Sequence, residues 1–199
     1  EEIPYSLPNG WQWCRLGATG ICATGKTPKT GKQSSFGGEI EFIGPGQITP
    51  TGKLLASDKT LTEEGVEEST EALPGDILMV CIGGSIGKSV IADRRVAFNQ
   101  QINAVRPIDM PSSYLNSAIS TDRFFGSVLE KASGSATPII NRSKWESLLV
   151  PIPPAEEQKA IVKRVEELMA LCDRLKTSLA TAQATQLTLA DSLVEQAIG

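Results

Sequence analysis

From residue 156 onward the apolar positions fall into one repeating register. Ile161, Val165, Leu168, Cys172, Leu175, Leu179, Ala182, Gln186, Leu189 and Leu193 follow one another at alternating steps of four and three, and only Gln186 among them is polar. That spacing is the a/d seam of a heptad repeat. Neither Pro nor Gly interrupts residues 156–198, so the pattern predicts a single helix ~60 Å long at ~1.5 Å per residue. The rest of the chain is too small to cover such a rod. The seam must meet another helix, and the chain reads as a compact domain carrying a docking arm.

Residues 1–152 are patterned differently: rich in Gly, Pro, Ser and Thr, with short apolar runs and no long period. Strands are expected at 13–23, 41–43, 76–82, 88–92, 101–106 and 148–151, punctuated by turn signals such as Pro50-Thr51-Gly52 and Pro74-Gly75-Asp76. One helical patch interrupts them, with Ser112 as cap and Tyr114, Leu115, Ala118, Ile119, Phe125, Val128 and Leu129 at helical spacing. Runs of strands broken by one helical stretch are an α+β pattern, not a βαβ alternation. Pro151-Ile152-Pro153-Pro154 closes this region because proline cannot continue a strand ladder, and Glu156 and Glu157 suit the positive end of the following helix. The expected organisation is a mixed, short-stranded domain over 1–152, then a long coiled-coil helix over 153–199.

Composition adds constraints. A length of 199 residues with 40% apolar and 21% charged residues fits one cored domain plus the arm. The net charge of −4 argues against a uniformly basic nucleic-acid binder, but the charges are segregated. Residues 3–38 carry Arg15, Lys26, Lys29 and Lys32 without an acid, whereas Glu63, Glu64, Glu67, Glu68 and Glu71 cluster without a base. Cys14, Cys22, Cys81 and Cys172 form no C-x-x-C pair, and there is no histidine, so no metal site is expected. Reduced core thiols, no signal peptide and no apolar run of membrane-spanning length together indicate a cytoplasmic protein.

Residues 20–27, Gly-Ile-Cys-Ala-Thr-Gly-Lys-Thr, match the phosphate-loop pattern G-x-x-x-x-G-K-[ST]. That loop needs a helix immediately after it, so that free backbone amides face the phosphates. Here Pro28 and a Gly/Ser run follow, and the segment starts inside an expected strand. Gly83-Gly84-Ser85-Ile86-Gly87-Lys88 is one residue short of the same pattern and reads as a turn between strands. Without histidine no histidine-based triad or general base is available. Three polar loops remain as candidate contact surfaces. They are residues 25–38 with Lys26, Lys29, Lys32 and Gln33; 83–101 with Lys88, Arg94, Arg95, Asn99 and Gln100; and 133–144 with Ser135, Thr137, Asn141, Arg142 and Lys144. Lys and Arg suit phosphates, while Arg, Asn and Gln can make paired hydrogen bonds to base edges.

Several segments resemble one family. Residues 7–17, Leu-Pro-Asn-Gly-Trp-Gln-Trp-Cys-Arg-Leu-Gly, are similar to the opening of a target recognition domain in the specificity subunits of type I restriction-modification systems. So are Ile43-Gly44-Pro45-Gly46 with Ile48, residues 74–78, 83–88, 98–103 and 133–141, and above all 150–162 continuing into 166–175. The resemblance implies a non-catalytic subunit that selects DNA sequence for partner enzymes. Two recognition domains would each read half of an interrupted site, held apart by antiparallel helices. Modification subunits would bring S-adenosylmethionine, and restriction subunits ATP; neither cofactor is expected on this chain. With one recognition domain and one helix, the chain corresponds to half such a subunit, and pairing of two copies through the seam would restore the whole. A coiled-coil adaptor that binds protein, and a phosphate-loop enzyme using residues 20–27, are the alternative functions.

Overall fold

The computed structural model describes residues 3–134 and 136–198. Its strands are β1 Gln12–Arg15, β2 Gly20–Thr24, β3 Phe36–Ile43, β4 Thr60–Leu61, β5 Glu71–Ala72, β6 Ile77–Val80, β7 Ser89–Ile91, β8 Val96–Phe98, β9 Ile102–Pro107 and β10 Leu149–Ile152. The helices are α1 Glu63–Glu67, α2 Ser112–Ile119, α3 Asp122–Lys131, α4 Arg142–Glu146 and α5 Ala155–Ile198. This is the expected α+β architecture with a long C-terminal helix. Contacts divide the chain into two units, residues 1–158 and 159–199. The division falls one turn into α5, because Gln158 is buried and donates from Nε2 to the Pro153 carbonyl at 3.0 Å.

The first unit is built around a four-stranded sheet ordered β2-β9-β6-β7, antiparallel throughout. All four residues of β6 are fully buried. Alternation along the strand sends them to opposite faces. Ile77 and Met79 enter a core with Leu115 and Ile119 of α2, Phe124 and Val128 of α3, and Trp145 of α4. Leu78 and Val80 enter a second core with Ile43, Ala72, Val96 and Phe98. Those residues belong to a second sheet, ordered β4-β3-β8-β5, in which β3 and β8 run parallel. Ile40, Phe42 and Ala97 on its other face pack with Val66 of α1. The indole N–H of the fully buried Trp145 lies 3.1 Å from Met79 Sδ, which gives that donor a partner inside an apolar core.

Two sequence expectations are corrected here. The strand expected over 13–23 is broken by a 3-10 turn at Leu16–Ala18, so β1 pairs with β10 and β2 with β9. Leu16 is drawn into the core, its N–H bonds the Leu148 carbonyl at 2.8 Å, and the Thr19 hydroxyl closes the turn on the Leu16 carbonyl at 2.7 Å. The helical patch at 112–129 is two helices, because the Thr121 hydroxyl accepts from the Phe124 N–H and caps α3. Ser112 is the first residue of α2 and not its cap, a position held by Pro111.

Asp76 anchors the turn before β6. Its carboxylate is 4% exposed, accepts two hydrogen bonds from Arg106 at 2.8 and 2.7 Å, and accepts the Leu73 N–H at 2.9 Å. Gly75, which precedes it, adopts φ +96°, in the left-handed region that favours glycine.

Gly65 of α1 tests how closely the body is assembled. A Cβ there would lie 2.0 Å from the Ser35 carbonyl oxygen. Ala normally stabilises a helix by about 1 kcal/mol over Gly. Gly65→Ala should instead destabilise this fold by about 2 kcal/mol or more, read as a lower midpoint in urea unfolding; an unchanged or raised midpoint would show that α1 is free to shift.

Candidate nucleic-acid interface

The register of the central sheet gathers one set of chain ends. Thr24, the last residue of β2, is opposite Asn103; Val80, the last of β6, is opposite Ile102; and Ser89, the first of β7, is opposite Met79. The segments leaving β2 and β6, and those entering β7 and β9, therefore emerge together. Backbone hydrogen bonds join them. Gly25 N–H donates to the Ile102 carbonyl, Lys26 N–H to Phe98, and Cys81 N–H to Gln101, at 2.9, 3.0 and 2.7 Å. The segment before α4 joins the same end: Ile140 N–H donates to the Cys81 carbonyl at 3.0 Å and Gly83 N–H to Pro138 at 2.9 Å.

Gly25 is required at this crossing, since a Cβ would fall 2.0 Å from the Asn99 carbonyl oxygen. Asn99 is committed to its own turn. Its Oδ1 accepts the Gln101 N–H at 3.0 Å and its Nδ2 donates to the Gln101 side chain at 3.2 Å. Gln100, beside it, is exposed, and its Oε1 accepts the Thr27 hydroxyl at 2.7 Å. Thr27, the last letter of the phosphate-loop match, gives no sequence signal of this partner, since the contact spans 73 residues.

The phosphate-loop match is resolved by the same geometry. Gly20–Thr24 is β2 in full register with β9, and the amides of Gly25 and Lys26 are already donated to carbonyls. The next helical segment is a three-residue 3-10 turn at Gln33–Ser35. No amide cradle at a helix N-terminus is formed. Gly83 to Lys88 is a turn joining β6 to β7, with Gly83 and Gly87 at φ +94° and +88°.

The candidate residues separate into distinct settings. Lys26 and Lys29 are exposed, Lys88 is half-exposed, and none of the three forms a salt bridge among the described residues. Lys32 is bound between Glu64 and Glu68 at 2.7 and 2.6 Å, and these carboxylates hold it firmly protonated. Gln33, next to it, is exposed. Arg94 and Arg95 do not share the loop-bearing end: they follow Ala92, whose N–H bonds Asp76 at the start of β6. Arg94 forks onto Glu41 at 3.1 and 2.8 Å and also reaches Asp93 and the Leu55 carbonyl. Arg95 is held by Glu63 and Glu71. Residues 83–101 thus form three separate turns, not one loop.

Around α4, Asn141 caps the helix by accepting the Lys144 N–H at 2.9 Å. Arg142 pairs with Glu146 one turn on at 3.2 Å, and Lys144 donates to the Lys131 carbonyl at 3.0 Å. Thr137 is exposed. Ser135 lies outside the described residues.

The α5 seam is exposed along its described length. Leu168, Leu175 and Leu179 show 45%, 60% and 60% of their surface, Val165, Cys172 and Ala182 are also exposed, and Ile161 is half-exposed. Met169 and Leu171 flank the seam and are exposed as well. The side chains of Leu189 and Leu193 lie outside the described residues. Thr177, Thr181, Thr185 and Thr188 fold their hydroxyls back onto carbonyls one turn earlier, so these polar positions satisfy themselves within the helix.

No group of three or more metal-ligating side chains occurs among the described residues. No helix among them is long and apolar enough to cross a membrane. Burial pushes the Cys81 thiol up to about 12 and that of Cys22 to about 11, which leaves both as unreactive thiols.

The chain thus combines a loop-bearing sheet end with a heptad helix whose described seam is exposed. The chain belongs to the family described as the type I restriction modification DNA specificity domain, whose model matches residues 8–183. It is 25% identical to the EcoAI specificity subunit and 28% identical to the EcoEI specificity subunit, both of Escherichia coli. Each of these matches covers 100% of this chain and 35% of the relative. Among solved structures, a chain from a type I R-M system superposes with a TM-score of 0.70 at 21% identity, over 92% of this chain and 44% of that one. The HsdS subunit from Thermoanaerobacter tengcongensis superposes at 0.64 with 23% identity, over 89% and 42%. These structures share the fold, and this chain spans less than half the length of each relative named.

The Arg94–Glu41 pair generates a pH prediction. Arg94 first, and the Ser57 N–H further, hold the Glu41 carboxyl below its ordinary range. A depressed carboxylate contributes stability above its unfolded pKa and loses it as pH falls through the folded value. Arg94→Met should cost about 1–2 kcal/mol at pH 7. The gap from the wild type should close below about pH 4, as followed by denaturant midpoints across pH; a pH-independent gap would mean that packing, not the ion pair, is lost.

Proposed function

We propose that residues 1–158 read double-stranded DNA with the loop-bearing end of the central sheet, and that α5 docks the chain to other helices. The carrying observation is the convergence of residues 25–27, 83–88, 99–101 and 136–141 on one sheet end, with Lys26 and Lys88 free of salt bridges there and the exposed Lys29 two residues further along the chain. Exposed cations attract phosphates and release counterions. Gln100 and Thr137, both exposed, supply groups that can address base edges.

In this reading the chain contributes no chemistry. It selects sequence for modification subunits that bring S-adenosylmethionine and restriction subunits that bring ATP, in the cytoplasm. One copy reads half of a bipartite site. A second copy, its α5 antiparallel to the first, would bury both seams and hold the two half-sites at a fixed spacing. The other half of a longer specificity subunit could fill the same place.

Two measurements test these parts separately. For the helix, Leu175→Lys places an unpaired charge in the seam. Sedimentation at tens of micromolar should find a dimer for the wild type and a monomer for the variant; a monomeric wild type would leave partner-subunit helices as the cover.

For the reading end, oligonucleotides bound by the chain with its modification subunit would be selected and sequenced, and variants compared on that target. Lys29→Ala and Lys88→Ala should weaken all sequences alike and each reduce the salt slope by about one. Gln100→Ala should remove roughly 1–3 kcal/mol of discrimination at one base pair. Arg94→Ala, remote from this end, should leave DNA affinity nearly unchanged. Equal losses for all four variants would place the reading surface elsewhere, and failure to select any sequence would favour a protein-binding adaptor.

A further inference from the structure

Phe125 is an aromatic side chain left 40% exposed on α3, although its neighbours Phe124 and Val128 already fix that helix in the core. Its ring lies across Gly87. A Cβ at Gly87 would meet Phe125 Cδ2 at 2.5 Å and Cε2 at 2.8 Å. Gly87 also sits at φ +88°, a conformation glycine adopts without strain. The missing side chain and the unusual backbone angle therefore accommodate the same ring.

The turn it touches is closed by two main-chain bonds of its own, from Ile86 N–H to Gly83 and from Lys88 N–H to Ser85 at 3.0 and 3.2 Å, and by contacts from outside. Gly83, Gly84 and Gly87 give the segment large conformational freedom in the absence of contacts. One flank is tied to the 136–140 segment through the bond from Gly83 N–H to Pro138. The middle is held by Ile86, which is buried with Phe124 and Val128. At the far flank Gly87 N–H donates to Val80 and Val80 N–H to Lys88, both at 2.9 Å, and the Ser89 and Ser120 hydroxyls bond at 3.0 Å. Between these ties, the Phe125 ring is the side chain that a Cβ at Gly87 would meet.

We propose that Phe125 is a positioning residue for DNA readout: lying across Gly87, it fixes the path of the Gly83–Lys88 turn and with it where Lys88 and the neighbouring 136–140 segment meet the DNA. The inference rests on the DNA-reading assignment above. A half-exposed ring at this place adds little to a core that Phe124 and Ile86 already close. Its contribution is order in a glycine-rich turn, and a recognition element loses selectivity when its supporting contacts loosen.

The test uses the full chain. Phe125→Ala should leave the thermal midpoint within a few degrees of wild type. Amide hydrogen exchange over residues 83–88 should be faster by roughly tenfold, while exchange in β6 and β9 stays unchanged. On the selected target, the ratio of affinities for the target and its best single-base variant should fall roughly tenfold. Low-salt binding to unrelated DNA should stay within about twofold. Phe125→Tyr, which keeps the ring, should restore both exchange and discrimination. Phe125→Leu, which keeps apolar bulk without a ring, replaces the alanine variant if that does not fold and must meet the same two readouts. Unchanged exchange, or intact discrimination in a selective wild type, overturns the positioning role alone. A wild type that selects no sequence overturns the DNA-reading assignment and this inference with it.

Discussion

The interaction on which the rest of the body depends is the pairing of β6 and β9 at the middle of the central sheet. Ile77 to Val80 are fully buried and alternate between two cores, so each strand face has its own packing partners. A slip of one residue would send Met79 toward the second sheet and Leu78 toward the helices, exchanging both sets of contacts at once. Register is therefore strongly fixed. That register also decides which chain segments emerge together at the loop-bearing end, so the packing of the core simultaneously specifies which loops meet.

The distribution of charge follows a second logic. Glu41, Glu63, Glu64, Glu68 and Glu71 take up Lys32, Arg94 and Arg95, several of them in paired or shared contacts. Such exposed pairs contribute modestly to stability, yet they remove those cations from the pool available to an outside anion. Lys26 and Lys88 stay outside these networks, and Lys29, without a salt bridge of its own, lies near enough to Glu68 to help Lys32 hold that carboxyl below its ordinary range. A net charge of −4 is thus a poor guide to the local field, since several of the acids are already paired with Lys32, Arg94 and Arg95.

What the sequence made legible were the features carried by long periods or strong punctuation. The α5 heptad, the Pro-Gly-Asp turn before β6 and the proline exit after β10 could be read directly. Several of the shortest elements could not: β4, β5, β8 and α4 are too short to establish a period and lack flanking turn signals as strong as those around β6, and their place is set by pairing with distant strands or by a buried Trp145. The 3-10 turn at Leu16 was invisible because an apolar residue continues a strand pattern whether it faces the core from a strand or from a turn. For the candidate site, the three polar loops were recognisable by composition. Their convergence was not, since it depends on strand register. The separation of Arg94 and Arg95 from Lys88 was hidden for the same reason: nearness in sequence across β7 places them at opposite ends of a strand.

The anchoring of the loop end has a consequence for how specificity can change. Gly25, Lys26, Cys81, Gly83 and Ile140 are held there by main-chain N–H groups donating to main-chain carbonyls. Side-chain anchors join them, some local, as in the Asn99–Gln101 turn and the Asn141 cap, and some from distant segments, as in the Ser69 hydroxyl on the Lys26 carbonyl and the Thr70 hydroxyl on the Thr24 carbonyl. Main-chain anchors are indifferent to side-chain identity, apart from the glycines that permit close approach at Gly25 and Gly87. Exposed positions such as Lys29 and Thr137 can therefore be replaced without disturbing these main-chain bonds, whereas Gln100 also accepts the Thr27 hydroxyl across two loops. Changes at Gly25, Gly87 or Asn99 would instead move the backbone itself. The fold thus largely separates the main-chain groups that hold these loops from the exposed side chains that give them chemical character.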